Sequence, residues 1–389
     1  MKSTTIAEER IIDLMSLYKK LEELSDSRKA RGLRYPLAVI LVLIVLAKLS
    51  GEDTPSGIAE WAHNRAETLS THLQLKRKRM PHHSTYRRIM AEVIAPDEFE
   101  LLVSDYLVGK RYFGKKVLIS IDGKVLRGTL DNEQDGVYLL AAYLPSEGLV
   151  LMEVEVEGKG KEIPAAIKLL KKLDLREKII MGDALHTQRE TSKEICIAGG
   201  DYIWYAKGNQ SQLAEDIRLW FEPEPEPLPG QGRLPKDFES AQTTNKGHGR
   251  IDERKITVSS QLNDFLDWPF LNQVFKLQRR VTNMKTGQIK ERTIYGVTSL
   301  ARDEVTPKEL LELIRSYWGI ENGLHYRRDV TLLEDRTRMT SKNAGQVMAS
   351  INNLVLGLLI GKKKFEYLPS ARRYFNANLA EAISLIGGL

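Results

Sequence analysis

Two aspartates and a glutamate in this 389-residue chain stand where acids do chemistry. Asp122 closes the apolar run at 117–121 and precedes Gly123; Asp183 closes the run at 179–182 in the same way. Acids at the carboxyl ends of buried strands are placed to hold a hard cation, because ligands of open α/β sheets bind beyond those ends. Either alone reads as a turn-forming aspartate, whereas two at equivalent places favour a site. Glu321 adds a third carboxylate. Thr306 to Glu309 spells a capping box with Pro307 at the first helical position, so a helix starts there. At about 100° per residue, Leu310, Ile314, Tyr317, Glu321, Leu324 and Arg328 fall within about 40° of one line. A carboxylate on that inward stripe needs a metal ion or a cationic partner such as Arg327 or Arg328, since a bare buried charge is costly. Together Asp122, Asp183 and Glu321 suit a two-metal phosphoryl-transfer site. Asp122 would bridge two Mg²⁺ ions, with Mn²⁺ as a substitute, and the other two acids would complete one shell each. Ions about 3.5–4 Å apart would clamp the attacking and leaving oxygens of a phosphodiester, whether water or a DNA 3′ hydroxyl attacks.

The elements that must position these acids are legible in outline. Leu14, Leu17, Leu21 and Leu24 recur at helical spacing, an apolar run follows at 37–47, and another helical stretch at 58–75 makes the first hundred or so residues all-helical. That region ends in the basic stretch KRKRMPHHSTYRR (76–88), where Ser84 is a candidate N-cap for a short helix. Lys76, Arg77, Lys78, Arg79, Arg87 and Arg88 are candidate DNA contacts there, because a basic loop feeding a helix start can grip phosphates. From 117 the period changes to that of strands, at 117–121, 137–144 and 149–156, the last two joined by a turn at 145–148. Helices at 163–173, 188–198 and 211–221 then alternate with strands at 178–182 and 202–206, which implies a mixed sheet with helices packed on it. The proline-rich stretch EPEPEPLPGQGRLP (222–235) reads as an extended loop and a boundary. Strands at 255–258, 274–281 and 291–297 suggest a small β-rich insertion before helices resume.

Composition is that of an ordinary globular chain, with 42% hydrophobic and 28% charged residues. The net charge of +6 is unevenly spread: residues 1–116 carry 20 basic and 15 acidic groups, residues 117–299 carry 25 and 27, and residues 300–389 carry 13 and 10. A basic excess flanking an acidic middle fits a polyanionic partner. One cysteine, Cys196, excludes a disulfide framework and a zinc site on paired cysteines. The apolar run at 37–47 is far short of the roughly 20 residues that span a bilayer, so it reads as a buried helix and no membrane association is expected. Glu8 and Glu9 near the start, with no apolar stretch behind them, leave export unexpected and the cytoplasm the expected compartment. A nucleotide cofactor is not expected either: the glycines of 123–129 have P-loop spacing, but Thr129 stands where that motif needs lysine. The histidines show no zinc-protease pattern, and His186 and His325 read as local hydrogen-bonding residues.

The motifs ISIDGKVLRGTL (119–130), MGDALHTQ (181–188), DYIWYAKGNQ (201–210), GHGRIDER (247–254) and YWGIENGLHYRRDVTLLED (317–335) resemble those of bacterial insertion-sequence DDE transposases, specifically the H-repeat-associated group, over nearly the whole chain. The resemblance implies an α/β fold: an RNase H-like mixed-sheet catalytic core with a β-strand insertion, plus an all-helical N-terminal region. It divides the chain into a helical, transposase-associated N-terminal part at 1–112, the first part of the core at 113–222, the proline-rich loop and insertion at 223–299, and a helical end at 300–389 that completes the core with the catalytic Glu. Asp122, Asp183 and Glu321 take the place of the catalytic acids and metal ligands, and Asp329, Glu334 and Asp335 are the alternatives for the third. Where the group is expected to read HW-x-LDV, this chain has His325, Tyr326, Arg327, Arg328, Asp329 and Val330. Lys124, Arg127 and Lys207 after strand ends, Arg250 and Arg254 in the insertion, and Arg328 two turns beyond Glu321 are candidate phosphate contacts. The implied activity is Mg²⁺-dependent cleavage at element ends and joining to target DNA. Its partners would be double-stranded DNA, as terminal repeats and target, and further copies of the chain assembled on it, at the nucleoid when bound. A catalytically inactive DNA-binding regulator, or defective element product, and a stand-alone nuclease of the same fold are the alternatives.

Overall fold

The computed structural model describes residues 17–29, 33–109, 113–131, 136–158, 160–222, 235–361 and 365–387. Leu14 and most of the proline-rich stretch lie outside the described residues. The helical first part runs through α1 (Leu17–Leu21), α2 (Leu37–Leu49), α3 (Pro55–Asn64), α4 (Ala66–His72), α5 (His83–Arg88) and α6 (Pro96–Leu107). The apolar run does form a buried helix: every residue of α2 is buried, as a helix without a polar face must be. Even Lys48 is 1% exposed, its ammonium held 2.9 Å from Asp53. The basic stretch departs from expectation at its cap. His82, not Ser84, precedes α5, and its Nδ1 accepts from the Ser84 amide.

The sheet comprises β1 (Val117–Leu126), β2 (Val137–Leu144), β3 (Leu149–Glu155), β4 (Lys178–Met181), β5 (Asp201–Ala206), β6 (Glu239–Gly247), β7 (Arg250–Ser259), β8 (Gln273–Asn283) and β9 (Ile289–Thr298). Its order is β3-β2-β1-β4-β5-β9-β8-β7-β6. β1, β4 and β5 are parallel and the β1–β2–β3 meander is antiparallel, which is the RNase H-like arrangement. The helices α7 (Glu162–Leu170), α8 (Arg189–Ile197) and α9 (Ser211–Phe221) make the connections between and beyond these strands. The insertion is not a detached module. Its last strand, β9, pairs antiparallel with β5, so the meander β6–β9 extends the core sheet to nine strands. β6 has no apolar alternation, reading ESAQTTNKG, and is largely exposed at the free edge; its pairing with β7 defines it.

After the sheet come α10 (Pro307–Ser316), α11 (Ala344–Gly361), α12 (Leu368–Ala377) and α13 (Leu379–Leu385). The capping box at Thr306 and Glu309 forms as read. α11 is 18 residues long and apolar enough to cross a membrane by length and composition, but it is buried inside this fold, against α2, α6 and β3. The first and last helices thereby share one apolar core. The lysines at 362–364 lie outside the described residues.

Candidate active site

Asp122 does not end its strand. β4 pairs with β1 only from Val117 to Ser120, whereas β2 follows β1 on to Leu126. Asp122 therefore sits just beyond the last parallel pair, on a strand held from one side, which leaves room for a cleft over the end of β4. Gly123 leaves room for Tyr138: a Cβ there would collide with its hydroxyl and force the ring to shift. Asp183 stands two residues beyond β4, on the same end of the sheet. Its Oδ1 accepts from the Leu185 amide at 2.9 Å and caps a one-turn 3-10 helix, Ala184–His186. Gly182 before it allows His186 and Ile121 to approach, since a Cβ would lie 2.8 Å from the His186 ring.

Glu321 is carried differently from the straight-helix expectation. α10 stops at Ser316, and the chain continues in wide π turns, Ile320–His325 and Arg327–Thr331. Such turns break the 100° register. Leu310, Ile314, Tyr317, Leu324 and Arg328 are buried as the stripe requires, but Glu321 is turned out, with its side chain 53% exposed. Gly319 and Gly323 let the π segment lie against the β2–β3 hairpin: a Cβ on Gly319 would sit 2.9 Å from Pro145, and one on Gly323 would collide with the Tyr143 hydroxyl.

The π turn delivers Glu321 to Asp122. Carboxylate oxygens of both and a nitrogen of His325 lie within 4.8 Å of one another. Burial, then the Glu321 charge, push the Asp122 carboxyl up to about 7, and Asp183 and Glu162 push the same way. Burial, then Arg328 and Lys124, pull His325 down to about 4, so the imidazole is neutral near pH 7. Tyr317 is raised by burial and then by Asp122 and Asp183, which places its phenol among the same charges. Glu162, the first residue of α7, is raised by burial and by Asp183. It is a fourth carboxylate that sequence reasoning missed, because only the packing of α7 beside the Asp183 turn brings it there. Among the described residues no lysine or arginine makes an ion pair with Asp122, Asp183, Glu321 or Glu162. A cluster of carboxylates without a counter-charge, all hard oxygen donors, fits a divalent cation such as Mg²⁺ or Mn²⁺.

The second acidic group is different. Lys124 is bonded to Asp329, lies 3.0 Å from Glu334 and 3.4 Å from Asp335. Arg328 donates from Nε to Glu334 at 2.9 Å and from Nη1 to Glu153. Asn352 donates to Glu334 at 2.7 Å and Asn353 to Glu153 at 2.8 Å. Burial alone would raise Glu334, but Arg328 and Lys124 outweigh it and hold the carboxyl at about 2. The alternatives Asp329, Glu334 and Asp335 are thus already served by protein cations. The same contacts correct two expected phosphate contacts: Arg328 is 1% exposed and bound between two carboxylates, and Lys124 faces three acids, so neither is free to meet DNA. Nor does Arg328 pair with Glu321.

Of the other basic candidates, Lys76, Arg77, Lys78, Arg79, Arg87 and Arg88 are all exposed, as are Arg127, Lys207 and Arg250. Arg127 lies 3.8 Å from Asp335, and Lys207 sits over the Tyr205 ring. Arg254 is mostly buried and shares Asp252 with Arg279.

Residues 113–358 match the family model described as "Transposase DDE domain", and residues 18–107 match the one described as "DDE_Tnp_1-associated". The chain is 26% identical to the Escherichia coli K12 protein named "H repeat-associated putative transposase YhhI", over 90% of this chain and 93% of that one. It is 28% identical to "Putative transposase YncI" of Escherichia coli O157:H7, over 90% and 88%. Among solved structures, the cryo-EM structure of the piggyBac transposase synaptic complex with hairpin DNA aligns with a TM-score of 0.43 and 11% identity, over 96% of this chain and 79% of that one.

Proposed function

The chain belongs to the DDE-domain transposases, in their H repeat-associated group, and from that premise we propose that it cuts DNA at the ends of an insertion sequence and joins those ends to target DNA. The observation that carries the reading is the convergence of Asp122 and Glu321 beyond the end of β4, with Asp183 and Glu162 raising the local negative charge and no lysine or arginine among the described residues paired with any of the four. Asp122, Asp183 and Glu321 are the proposed catalytic acids. They would hold Mg²⁺, or Mn²⁺ in its place, which when bound supplies charge to the attacking and leaving oxygens of the phosphodiester. Asp122, held on a strand between Gly123 and the β1–β2 pairing, is the fixed member. Glu321, on a π turn, is the member whose position depends on the packing of Gly319 and Gly323. Phosphates would be met by Arg127 and Lys207 on the core, by Arg250 at the β6–β7 turn and by the basic stretch with α5 in the N-terminal part, whereas Arg254 is held by Asp252.

Double-stranded DNA as element end and as target, and a homo-oligomer on paired ends, complete the proposal. Labelled DNA carrying the flanking element ends tests it. The full chain should cut those ends with Mg²⁺ and form strand-transfer products, while Asp122→Asn binds the ends and leaves them whole. Binding without cutting by the natural sequence under Mg²⁺ and Mn²⁺ would instead establish a DNA-binding regulator, and cutting without joining a nuclease.

A further inference from the structure

His325 belongs to no interaction that explains it. The residue is 9% exposed, and no hydrogen bond holds its imidazole among the described residues. The polar atoms facing its Nδ1 are Asp122 Oδ2 and Glu321 Oε2, each at 3.7 Å, beyond hydrogen-bond reach. We infer that His325 supplies a nitrogen ligand to the divalent ion that Asp122 and Glu321 hold, an assignment that rests on the reading above and adds a donor to it. Two ligands of one ion, each about 2.1 Å from it, lie about 3 Å apart when adjacent and about 4.2 Å apart when opposite. The 3.7 Å spacings from Nδ1 are about 0.7 Å longer than the adjacent spacing, a closure that side-chain rotation on ion binding supplies. Glu321 and His325 are four residues apart in the π turn, and their 3.7 Å approach puts both side chains together beside Asp122. Asp183 stands outside this compact group and spends one oxygen on the Leu185 amide.

An imidazole among carboxylates changes the metal preference. Nitrogen donors favour Mn²⁺ and the later divalent ions over Mg²⁺, which prefers oxygen alone. The expected result is tighter binding of Mn²⁺ than of Mg²⁺ to the DNA-free chain, and a roughly tenfold loss of Mn²⁺ affinity in His325→Gln with Mg²⁺ affinity little changed.

Electron spin echo spectroscopy of the full chain with Mn²⁺ alone tests this without reference to activity. The natural sequence should show ¹⁴N modulation from a bound imidazole, replaced by ¹⁵N frequencies when histidine is ¹⁵N-labelled. His325→Gln and His325→Asn should lose it, His186→Gln should keep it, and Asp122→Asn should lose the bound ion. Mn²⁺ bound in an Asp122-dependent way with no nitrogen modulation, or with modulation that survives loss of His325, overturns the role of His325 and leaves the carboxylate reading standing. Absence of any Asp122-dependent Mn²⁺ overturns both.

Discussion

Removing the Arg328 guanidinium should destabilise the fold by about 3 kcal/mol, and the damage should depend on pH. Arg328 is fully buried between Glu153 and Glu334, which are 4% and 6% exposed. Cutting one partner from a buried ion pair costs about 3–5 kcal/mol, chiefly because the surviving charge stays buried without compensation. The lower end applies here. Glu334 retains Lys124 at 3.0 Å and Asn352, whereas Glu153 retains only the Asn353 amide. At roughly 1–2 °C per kcal/mol for a chain of this length, Arg328→Met should melt about 3–6 °C below the natural sequence at pH 7. The sign of the pH effect follows from Glu334. With Arg328 present its carboxyl is held at about 2, below its ordinary value of 4.5. It therefore contributes stability above pH 4.5 that is lost as pH falls toward 2. In Arg328→Met both carboxylates are left short of positive charge and are relieved by protonation, so the gap in melting temperature should narrow below pH 4.5. Thermal unfolding of both proteins from pH 3 to pH 8 measures this. A gap under about 2 °C at pH 7, or one that does not change with pH, refutes the placement of Arg328 as the bridge between these acids.

Gly323→Ala should cost about 1–3 kcal/mol in thermal unfolding and lower end cleavage more than end binding, because its Cβ collides with the Tyr143 hydroxyl and displaces the turn that carries Glu321. Asp122→Asn should be more stable than the natural sequence in chelator by about 1–2 kcal/mol, as it removes a charge facing Glu321. Adding Mn²⁺ should raise the melting temperature of the natural sequence and leave that of Asp122→Asn unmoved, which calorimetry with and without the ion checks. Arg87→Ala with Arg88→Ala, both on the exposed face of α5, should reduce the salt dependence of DNA binding by up to about two units in a gel-shift titration.

The sequence pattern located most elements because their signals are local. Alternation at 149–156, the turn at 145–148 and the capping box at Thr306 are each settled by neighbours in the chain, and the structure places elements there. The pattern marks Asp122 on an incomplete reason: Gly123 suggests a strand end, yet β2 carries the strand on to Leu126, and only the shortness of β4 leaves the acid at an edge. β6 escaped because nothing in ESAQTTNKG distinguishes a polar edge strand from a loop; its identity comes from β7. The stripe through Glu321 assumed a straight helix, and no residue pattern announces π turns, which the glycine contacts with Pro145 and Tyr143 accommodate. The partners of Lys124 and Arg328 were beyond reach for another reason. Their carboxylates lie on β3, in the second π turn and beyond it, and charge alone does not tell a buried cation from one that faces solvent.

The shared core of the first and last helices has a consequence for synthesis. α2 is apolar on every face and is covered partly by α11, α12 and α13, so it leaves the ribosome about 300 residues before its cover does, which at roughly 5–20 residues per second is some 15–60 s. Arg372, which donates to the Lys48 and Thr331 carbonyls and to Asp53, is the clasp that closes this core, and it comes near the very end of the chain. A nascent chain that has not yet made α11, α12 and α13 leaves the face of α2 that they cover as bare apolar surface, the kind of surface a holdase binds or a protease reaches.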